Sequence, residues 1–515
     1  MSKNSIIPFL KDYLINFLTS PFLLDTNDYI CKKNLKSTNI MRKPKLLLSF
    51  LMVIALICLP SSVMARKDSK CLKPRIVVLT DIAPVNVEPD DMESAIRLLS
   101  HADLFEIEAI ITTSGWNSSG KKYPQGWMDS LKTVINAYEK DVPNLMKRSQ
   151  QKEFISIEEE SKKQSIGYWP SPEYLRSRIM MGSLDFGYKS LGKDNNSAGS
   201  DFIIKLADEK DDRPLFIGLW GGGNTIAQAI WRIKQERSEA ELEKFLKKIY
   251  IYAITDQDVA WGDRGKYTLS SHYWLRKEFG DKINFIWGES AWLSQCGLGS
   301  SNWNEYAKHI QGHGNLGKIY PKNKYGVEGD TPSFLHVLPN GLNNPTVPNQ
   351  TGWGGYFVWD KTLDNETYCY TNTSKEAKAI SQKYEKYFYN ASFANFAARM
   401  DWAKYGKGNR NPIVIVNGKK GLEAIPVNTK AGSTIKLNAS KTYDPDGDQL
   451  TYKWWYMPEA GNYNGKIEIR NADKSISEVS VPTDAKSKTI HIICEVTDNG
   501  EHNLKGYRRI IINVK

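Results

Sequence analysis

The sequence predicts an α/β domain with an open, mostly parallel sheet, followed by a C-terminal all-β sandwich of the immunoglobulin-like type. From Pro74 to about Gly406, apolar strands alternate with helical segments, a pattern typical of a parallel sheet covered on both faces. After Ile413, seven short β runs follow within about 100 residues, the spacing expected of an immunoglobulin-like sandwich. A chain of 515 residues is also too long for one ordinary core.

The elements of the first domain follow in order. The strand RIVVLTD is followed by the helix DDMESAIRLLSHA, which carries Ala95, Leu98 and Leu99 on one face. The strand FEIEAIITTSGWN then runs into a loop, and the helix GWMDSLKTVINAYEKDV is expected to end near Pro143. Further elements are the helix SDFIIKLADEKDD, the strand RPLFIGLWGGG, the helix NTIAQAIWRIK, the strands KKIYIYAITD and KINFIWGES, and a closing long helix, SKEAKAISQKYEKYFYNASFANFAARMDWAKYG.

The second domain begins after the linker GKGNRNP, so we expect domains at residues 70–406 and 412–515. Trp454 and Trp455 are neighbours on one predicted strand and therefore face opposite sides. We expect one of them in the sandwich core and the other against the first domain or a glycan. The DPDGD segment (444–448) is interpreted as a solvated turn with Gly447 at positive φ, or as a calcium site. The β runs are PIVIVNG, STIKLNAS, QLTYKWWYM, KIEIRNA, SEVSVP, TIHIICEVTD and YRRIIINVK.

The N-terminal segment has the pattern of a secretory signal peptide. Residues 41–65 have a basic start, an apolar stretch and a small-residue exit, with cleavage expected after Ala65. Residues 1–40 lie upstream of this complete signal and are interpreted as an over-long gene start, with Met41 as the initiator. Because the apolar stretch is short for a membrane span, we expect a secreted or periplasmic protein without a stable span after cleavage.

Net charge and cysteine content indicate which binding partners and metal sites the sequence does not predict. The formal net charge is +11, and removing residues 1–65 leaves +6 without any block of like charge. This balance does not predict a nucleic-acid partner. The four remaining cysteines are widely spaced and form no CxxC motif, so two disulfides are possible in principle but no zinc cluster is indicated. Cys494, in TIHIICEV, is expected in the core.

A cluster of carboxylates follows the first strand. Asp81 ends the strand, and Glu88, Asp90 and Asp91 come just before or at the start of a helix. Helix capping explains one or two of these acids. A hard cation explains more, because calcium takes six to eight oxygen ligands and neutralises carboxylates that otherwise repel each other. In a parallel sheet, the TTSGWN and GGGN loops would meet Asp81 at the same edge.

These motifs carry a resemblance. The strand and Asp81, the loop to Asp90 and Asp91, TTSGWN (112–117) and WGGGNTIAQAI (220–230) resemble the nucleoside hydrolase superfamily in the same chain order. Together with EGDTPSFL and DPDGDQLTYKWW, the pattern resembles the secreted bacterial family described as cellulose-binding and nucleoside-hydrolase-like. The resemblance covers almost the whole of residues 66–515. It implies a nucleoside-hydrolase type of sheet and a calcium ion as cofactor.

The resemblance also implies roles for individual residues. Asp81 and Asp91 match the metal-binding carboxylates, and Asp81 would also accept the proton of the attacking water. Asp330 is the candidate for a late metal-binding aspartate, and Asn224 matches the position of a backbone carbonyl ligand. Asp90 matches the carboxylate that holds a ribose hydroxyl, and Asn117 matches a loop asparagine that holds the sugar. Further candidates for substrate binding are Trp116, Glu328 and Trp353.

The chain departs from the superfamily pattern in ways that put nucleobase substrates in doubt. The loop before Asp90 is longer, Leu79 stands where an aspartate is expected, and Asn224-Thr225 reverses the usual order. Gly329 stands where a histidine would act as the leaving-group acid, and His336 or His313 could substitute for it.

Two functions remain open. The first is a calcium-dependent hydrolase of N-glycosyl or related glycosidic bonds, acting on a sugar-containing small molecule or plant polysaccharide. The second is a non-catalytic cellulose- or carbohydrate-binding protein on the same fold, which needs only exposed aromatic side chains along a groove. A metal phosphohydrolase is disfavoured because no Lys/Arg phosphate clamp accompanies the carboxylates.

Overall fold

The structure, a computed structural model, describes residues 71–82, 87–117, 124–260 and 265–515. All of these belong to one compact unit. The predicted signal peptide and the residues upstream of it lie outside the described residues. Within the described ranges, no helix is both long enough and apolar enough to cross a membrane.

The first domain is built on an eight-stranded sheet with the order β3-β2-β1-β4-β5-β6-β8-β7. Neighbouring strands are parallel except for the β7–β8 hairpin, which forms one edge. The strands are β1 (Arg75–Thr80), β2 (Glu106–Thr112), β3 (Ile179–Met181), β4 (Leu215–Leu219), β5 (Ile249–Ile254), β6 (Asn284–Gly288), β7 (Val358–Lys361) and β8 (Tyr368–Thr371).

Helices connect these strands and pack on the sheet. They are α1 (Pro89–Ser100), α2 (Pro124–Ser149), α3 (Ile157–Glu160), α4 (Pro172–Ser177), α5 (Ala198–Asp208), α6 (Asn224–Glu236), α7 (Glu239–Lys248), α8 (Ser271–Phe279), α9 (Ala291–Ser301), α10 (Trp303–His309), α11 (Gly314–Lys318), α12 (Thr331–Leu335) and α13 (Lys375–Tyr405). Short 3₁₀ turns lie at Tyr188–Ser190, Tyr267–Leu269 and Gly280–Lys282.

The first strand lies at the point where the chain reverses its direction across the sheet. Every residue of β1 is buried, as its apolar sequence predicts. The chain runs from β1 outward to β2 and β3 and then returns to add β4 on the other side. The carboxyl ends of β1 and β4 therefore form a topological switch point, which is where open α/β sheets bind ligands.

The second helix is longer than predicted. It was expected to end near Pro143, but it continues to Ser149 with Pro143 inside. A proline inside a helix costs about 3 kcal/mol. Packing offsets this cost, because Leu145 and Met146 are buried after the proline and Arg148 Nε donates to the Gly408 carbonyl at 2.7 Å.

The C-terminal region forms two β-sheets, with the orders β10-β13-β12 and β11-β14-β15-β9. The predicted first strand, PIVIVNG, is wrong: its residues form only isolated bridges, and the Ile415 N–H bonds to a threonine hydroxyl. The first strand is instead β9, which pairs in parallel with β15. The strands are β9 (Ile425–Thr429), β10 (Thr434–Asn438), β11 (Leu450–Tyr456), β12 (Glu468–Arg470), β13 (Ile476–Ser480), β14 (Thr489–Asp498) and β15 (Lys505–Val514).

The two adjacent tryptophans of β11 take the two predicted positions. Trp454 is buried in the core of the β region, and Cys494 lies in the same core. Trp455 packs against α13, with its ring centroid 5.4 Å from that of Tyr387. Gly447 has a φ of +87°, as predicted for the DPDGD turn. The second tryptophan therefore braces the first domain.

Candidate active site

Asp81 follows β1 directly and is 1 % exposed. Glycines on two neighbouring loops allow the backbone to approach its carboxylate. A Cβ added to Gly115 would lie 2.8 Å from Asp81 Oδ2, and one added to Gly221 would lie 2.9 Å from Asp81 Cβ and Cγ. The TTSGWN and WGGGN motifs therefore meet at Asp81, as predicted from the parallel sheet.

Asp91, in the first turn of α1, lies beside Asp81. It accepts a hydrogen bond from the hydroxyl of Thr80, the last residue of β1, and its carboxyl group also lies close to that of Asp330. Burial, followed by the negative charges of Asp81 and Asp90, raises the pKa of Asp91 well above its usual range. The strand end and the helix start thus hold their carboxylates close enough to repel each other.

Asp330 reaches this cluster because its segment is docked on α1. The Glu328 N–H donates to Glu93 Oε2 at 2.7 Å, and the Thr331 hydroxyl donates to the Ser94 hydroxyl at 3.1 Å. Burial and then the charges of Asp91, Asp90, Asp81 and Glu88 raise the pKa of Asp330 well above its usual range. The structure therefore brings the late aspartate to the early ones.

Glu88 and Asp90 complete the acidic cluster. Oxygen atoms of Glu88, Asp90 and Asp91 lie within 4.8 Å of one another. Burial and the charges of Asp81 and Asp91 raise the pKa of Glu88, whereas a hydrogen bond from the Asn117 side chain lowers it. Asn117 is exposed, so it lies at the mouth of the cluster. The sequence-based assignment gave Glu88 no separate role, although it belongs to the same acidic run.

The cluster has the chemistry of a calcium site. Its donors are carboxylate oxygens, which calcium prefers. Asp330 Oδ2 is buried and has no hydrogen-bond partner among the described residues. A buried polar atom without a partner costs about 1–3 kcal/mol. A divalent cation would satisfy this oxygen and cancel the repulsion among the carboxylates, so the residues present fit the ion that the resemblance implies.

Gly329, which stands where the superfamily pattern has a histidine, lies against Asp90 and Cys296. A Cβ added to Gly329 would lie 2.6 Å from Asp90 Oδ2 and 3.3 Å from Cys296 Sγ. The two histidines considered as substitutes make other contacts: His336 Nε2 lies 3.2 Å from the Pro345 carbonyl, and His313 Nε2 lies 3.5 Å from Asp401 Oδ1. A side chain at position 329 would displace Asp90.

Glu328 points into the interior and makes the contacts of a structural ion pair. It is fully buried, and its Oε2 lies 2.5 Å from Arg97 Nη1. The hydroxyls of Tyr320 and Tyr306 donate to it at 2.9 and 3.2 Å. These contacts do not direct its carboxylate towards Asp330, so we do not carry Glu328 into the proposed site.

The three other predicted residues have different surroundings. Trp116 is half-buried, and its N–H donates to the Gln257 carbonyl at 2.9 Å, which places it on the loop beside Asp81. Trp353 is buried against Tyr507 of β15, with ring centroids 6.1 Å apart. Asn224 is buried and donates to the Gly187 carbonyl at 2.9 Å. The approach of its loop to Asp81 is at Gly221, three residues earlier.

Sequence reasoning missed a second cluster behind the glycine loop. Asp256, Asp258 and His272 are buried, and Asp258 Oδ1 accepts a hydrogen bond from the Gly223 N–H at 3.1 Å. The signal was present, because the segment TDQD follows β5, a neighbour of β4 in the sheet. The two aspartates end a buried strand in the way that Asp81 does.

Comparisons with known proteins agree across both halves of the chain. The family model described as "Cellulose-binding Sde182, nucleoside hydrolase-like domain" matches residues 75–357, and "Cellulose-binding protein Sde0182, C-terminal domain" matches residues 434–514. A solved structure titled as a nucleoside hydrolase-related hypothetical protein from Saccharophagus degradans, associated with carbohydrate metabolism, is 34% identical. That match covers 86% of this chain and 100% of that chain, with a TM-score of 0.73.

Other comparisons are weaker. The effector protein XOO4466 is 10% identical and covers 65% of this chain and 94% of its own, with a TM-score of 0.30. The type III effector XopQ, solved with adenosine diphosphate ribose, is 12% identical and covers 65% of this chain and 95% of its own, with a TM-score of 0.29. The search of curated proteins finds no match.

Proposed function

Since the chain belongs to the cellulose-binding Sde182 family, whose first domain is nucleoside hydrolase-like, we propose that it is an exported, calcium-dependent hydrolase of N-glycosyl or related glycosidic bonds. The family resemblance and the fold class predicted from the motifs are confirmed. The observation that carries the proposed activity is the burial of Asp330 among the carboxylates of Asp81 and Asp91, with its Oδ2 lacking a hydrogen-bond partner among the described residues. The signal-peptide pattern of residues 41–65 supports export.

Asp81, Asp91 and Asp330 are the side chains that would hold the calcium ion. They reach the switch point from a strand end, a helix start and the residue before α12. When bound, calcium would orient and polarise a water molecule together with the sugar hydroxyls. The ion would also neutralise the repulsion that raises the pKa of Asp91 and Asp330.

The side chains of the site divide the remaining work. The Asp81 carboxylate would accept the proton of the attacking water. Asp90 would accept a hydrogen bond from a sugar hydroxyl, and Asn117, exposed at the mouth of the cluster, would hold the sugar from the other side. The negative charges would stabilise the positive charge that develops at the anomeric carbon. A water nucleophile without a covalent intermediate gives inversion at that carbon.

A second candidate function, binding of a polysaccharide without catalysis, is favoured by the β7–β8 hairpin. Trp359 and Tyr368 are 44 % and 45 % exposed. Trp359 pairs with Tyr370 and Lys361 pairs with Tyr368, so all four side chains lie on one face of the hairpin. A groove of about 690 Å³ lies beside them, lined also by Arg276 and Glu366. Flat rings next to charged groups suit a sugar, which has apolar faces and hydroxyl edges.

The two proposed functions differ in whether they require the Asp81 carboxylate. The purified protein is incubated with a panel of nucleosides and plant oligosaccharides, with calcium or with a chelator, and released sugar is measured. Hydrolysis predicts calcium-dependent release that is lost in Asp81→Asn and kept in Asp473→Asn, a change at an exposed turn. If no substrate is turned over while the protein still binds cellulose, the binding function stands and the hydrolase is rejected.

A further inference from the structure

A second group of metal-ligand side chains lies behind the glycine loop. Asp256 and Asp258 follow β5, and His272 is the second residue of α8. The three residues are 3 %, 5 % and 1 % exposed. One donor atom from each lies within 4.8 Å of the other two. The group is therefore a compact, buried set of two carboxylates and one imidazole.

Polar atoms of this group lack hydrogen-bond partners among the described residues. They are both ring nitrogens of His272 and Oδ2 of Asp256. His272 Nδ1 lies 3.8 Å from Asp256 Oδ1, which is beyond hydrogen-bond distance. Each buried polar atom without a partner costs about 1–3 kcal/mol. An ion that accepts lone pairs from imidazole and carboxylate would satisfy Asp256 Oδ2 and one of the two ring nitrogens together.

The charges around the group leave room for a divalent cation. Arg276 Nη2 lies 3.9 Å from Asp256 Oδ2 but only 3.0 Å from Asp364 Oδ2, so Asp364 is its closer counter-ion. Within the described part of the chain, no other lysine or arginine forms an ion pair with Asp256 or Asp258. An imidazolium at His272 would supply one charge, but it would make no hydrogen bond to Asp256 at this distance.

The carboxylates are also oriented as metal ligands usually are. The Ser270 hydroxyl donates to Asp256 Oδ1 at 2.7 Å, and the Ser271 hydroxyl and N–H donate to Asp258 Oδ2 at 2.5 and 2.8 Å. Hydrogen bonds of this kind fix the ligating carboxylates of metal sites from outside. Asp258 Oδ1 in turn holds the Gly223 N–H.

We propose that Asp256, Asp258 and His272 form a second metal site that takes a divalent transition ion of the zinc class. Imidazole favours such ions over calcium, and zinc is commonly bound by histidine and aspartate. The site is separate from the acidic cluster at Asp81 and does not depend on the proposed hydrolase function. Because Gly223 and Gly221 belong to the same loop, the ion would brace the backbone that lies against Asp81.

The test is zinc content. The protein is stripped with a chelator, dialysed against zinc and calcium together, and analysed for metal per chain. We expect about one zinc per chain, retained in an Asp81→Asn/Asp330→Asn variant. In His272→Gln we expect zinc affinity to fall by at least about tenfold. His336→Gln is the matched control, because His336 is also buried but lies outside the group.

The outcomes are decisive in either direction. Zinc content that is equal in His272→Gln and His336→Gln, or lost in the Asp81→Asn/Asp330→Asn variant, overturns the second site. If His272→Gln does not fold, anomalous diffraction at the zinc edge on wild-type crystals replaces it. Anomalous density between Asp256, Asp258 and His272 supports the proposal, and its absence there overturns it.

Discussion

The buried carboxyl groups of Asp330 and Asp91 lie close enough to interact, although Asp91 lies in the first helix and Asp330 directly precedes the twelfth. Each residue is buried with at least two other carboxylates nearby. The contact requires one of the two groups to keep its proton, because two ionised carboxylates would repel each other. A cation at this position would replace that proton.

Calcium is therefore expected to stabilise the wild-type protein through this contact. A ligand at a hundredfold excess over its Kd adds about 2.7 kcal/mol to the free energy of unfolding. We expect calcium to raise the Tm of the wild type and of the exposed-turn control Asp473→Asn. We expect no shift in Asp91→Asn or Asp330→Asn. Differential scanning calorimetry with calcium or chelator measures the shift in Tm. An equal shift in all four proteins would show that calcium does not bind at the acidic cluster.

The pH dependence of stability follows from the same carboxyl groups. Burial and neighbouring charges raise the pKa of Asp91 and Asp330 in the folded, calcium-free protein. An aspartate in the unfolded chain titrates near about 3.9. Above that pH the folded state binds more protons than the unfolded state, so the free energy of unfolding falls as pH rises.

We therefore expect the Tm difference between calcium-bound and calcium-free protein to grow as pH rises above about 4. Asp330→Asn, which carries no charge at any pH, should show a flatter decline of Tm with pH in chelator than the wild type. The comparison of the two slopes isolates this residue from the other titrating groups. If Tm declines equally with pH in the two proteins, the ionised Asp330 carboxylate is not a source of the repulsion in the cluster.

Gly221→Ala is expected to disturb the cluster without straining the backbone. Its new Cβ would lie 2.9 Å from Asp81, closer than a real contact permits, whereas the φ of Gly221 is not in the left-handed region. The Asp81 carboxylate must then shift, and the calcium-induced rise in Tm should shrink or vanish. Gly297→Ala is the control, because no atom lies within 4 Å of its added Cβ. Equal calcium responses in the two variants would show that Asp81 tolerates displacement.

Cellulose binding, if it uses the β7–β8 hairpin, should depend on Trp359 and Tyr368. Removing a ring that contacts the glycan loses its buried apolar area, so we expect at least about a tenfold fall in affinity for Trp359→Ala. Tyr325→Ala, at a site that is 71 % exposed, is the control. Depletion of the protein from solution by microcrystalline cellulose gives the affinities. Unchanged cellulose binding in Trp359→Ala and Tyr368→Ala would show that the glycan binds elsewhere on the protein.

The meeting of Asp81 with the TTSGWN and GGGN loops could be predicted from the parallel sheet, whereas Asp330 became a candidate only through the family resemblance. The roles of Glu328 and Trp353 could not be predicted in the same way. Glu328 has a φ of +59°, and its carboxylate is held by Arg97, which is 231 positions earlier in the chain, so no local sequence pattern predicts this contact. Trp353 is buried by Tyr507 of the second domain, a contact that depends on domain packing.

The same limit explains the two errors in secondary structure. Pro143 stays inside its helix because tertiary contacts follow it, and PIVIVNG is apolar without finding a continuous partner strand. Local pattern predicts what a segment prefers, whereas its partner decides what it forms.

The ion pair of Arg97 and Glu328 provides a last prediction, because it separates stability from the site next to it. Arg97 is 1 % exposed, and its Nη2 also donates to the Ser392 carbonyl at 2.7 Å, so it ties α1 to α13.

Arg97→Met would leave the Glu328 carboxylate buried without its cation, which costs about 3–5 kcal/mol. Glu328→Gln keeps an oxygen acceptor for the guanidinium and should cost less. The double variant Arg97→Met/Glu328→Gln should be more stable than Arg97→Met alone, because it removes the unpaired charge. Urea denaturation in calcium gives the order of stability, and variants that still fold should keep the calcium-induced rise in Tm. If a Glu328→Gln variant folds as well as the wild type but loses the calcium-induced rise in Tm, Glu328 belongs to the binding site.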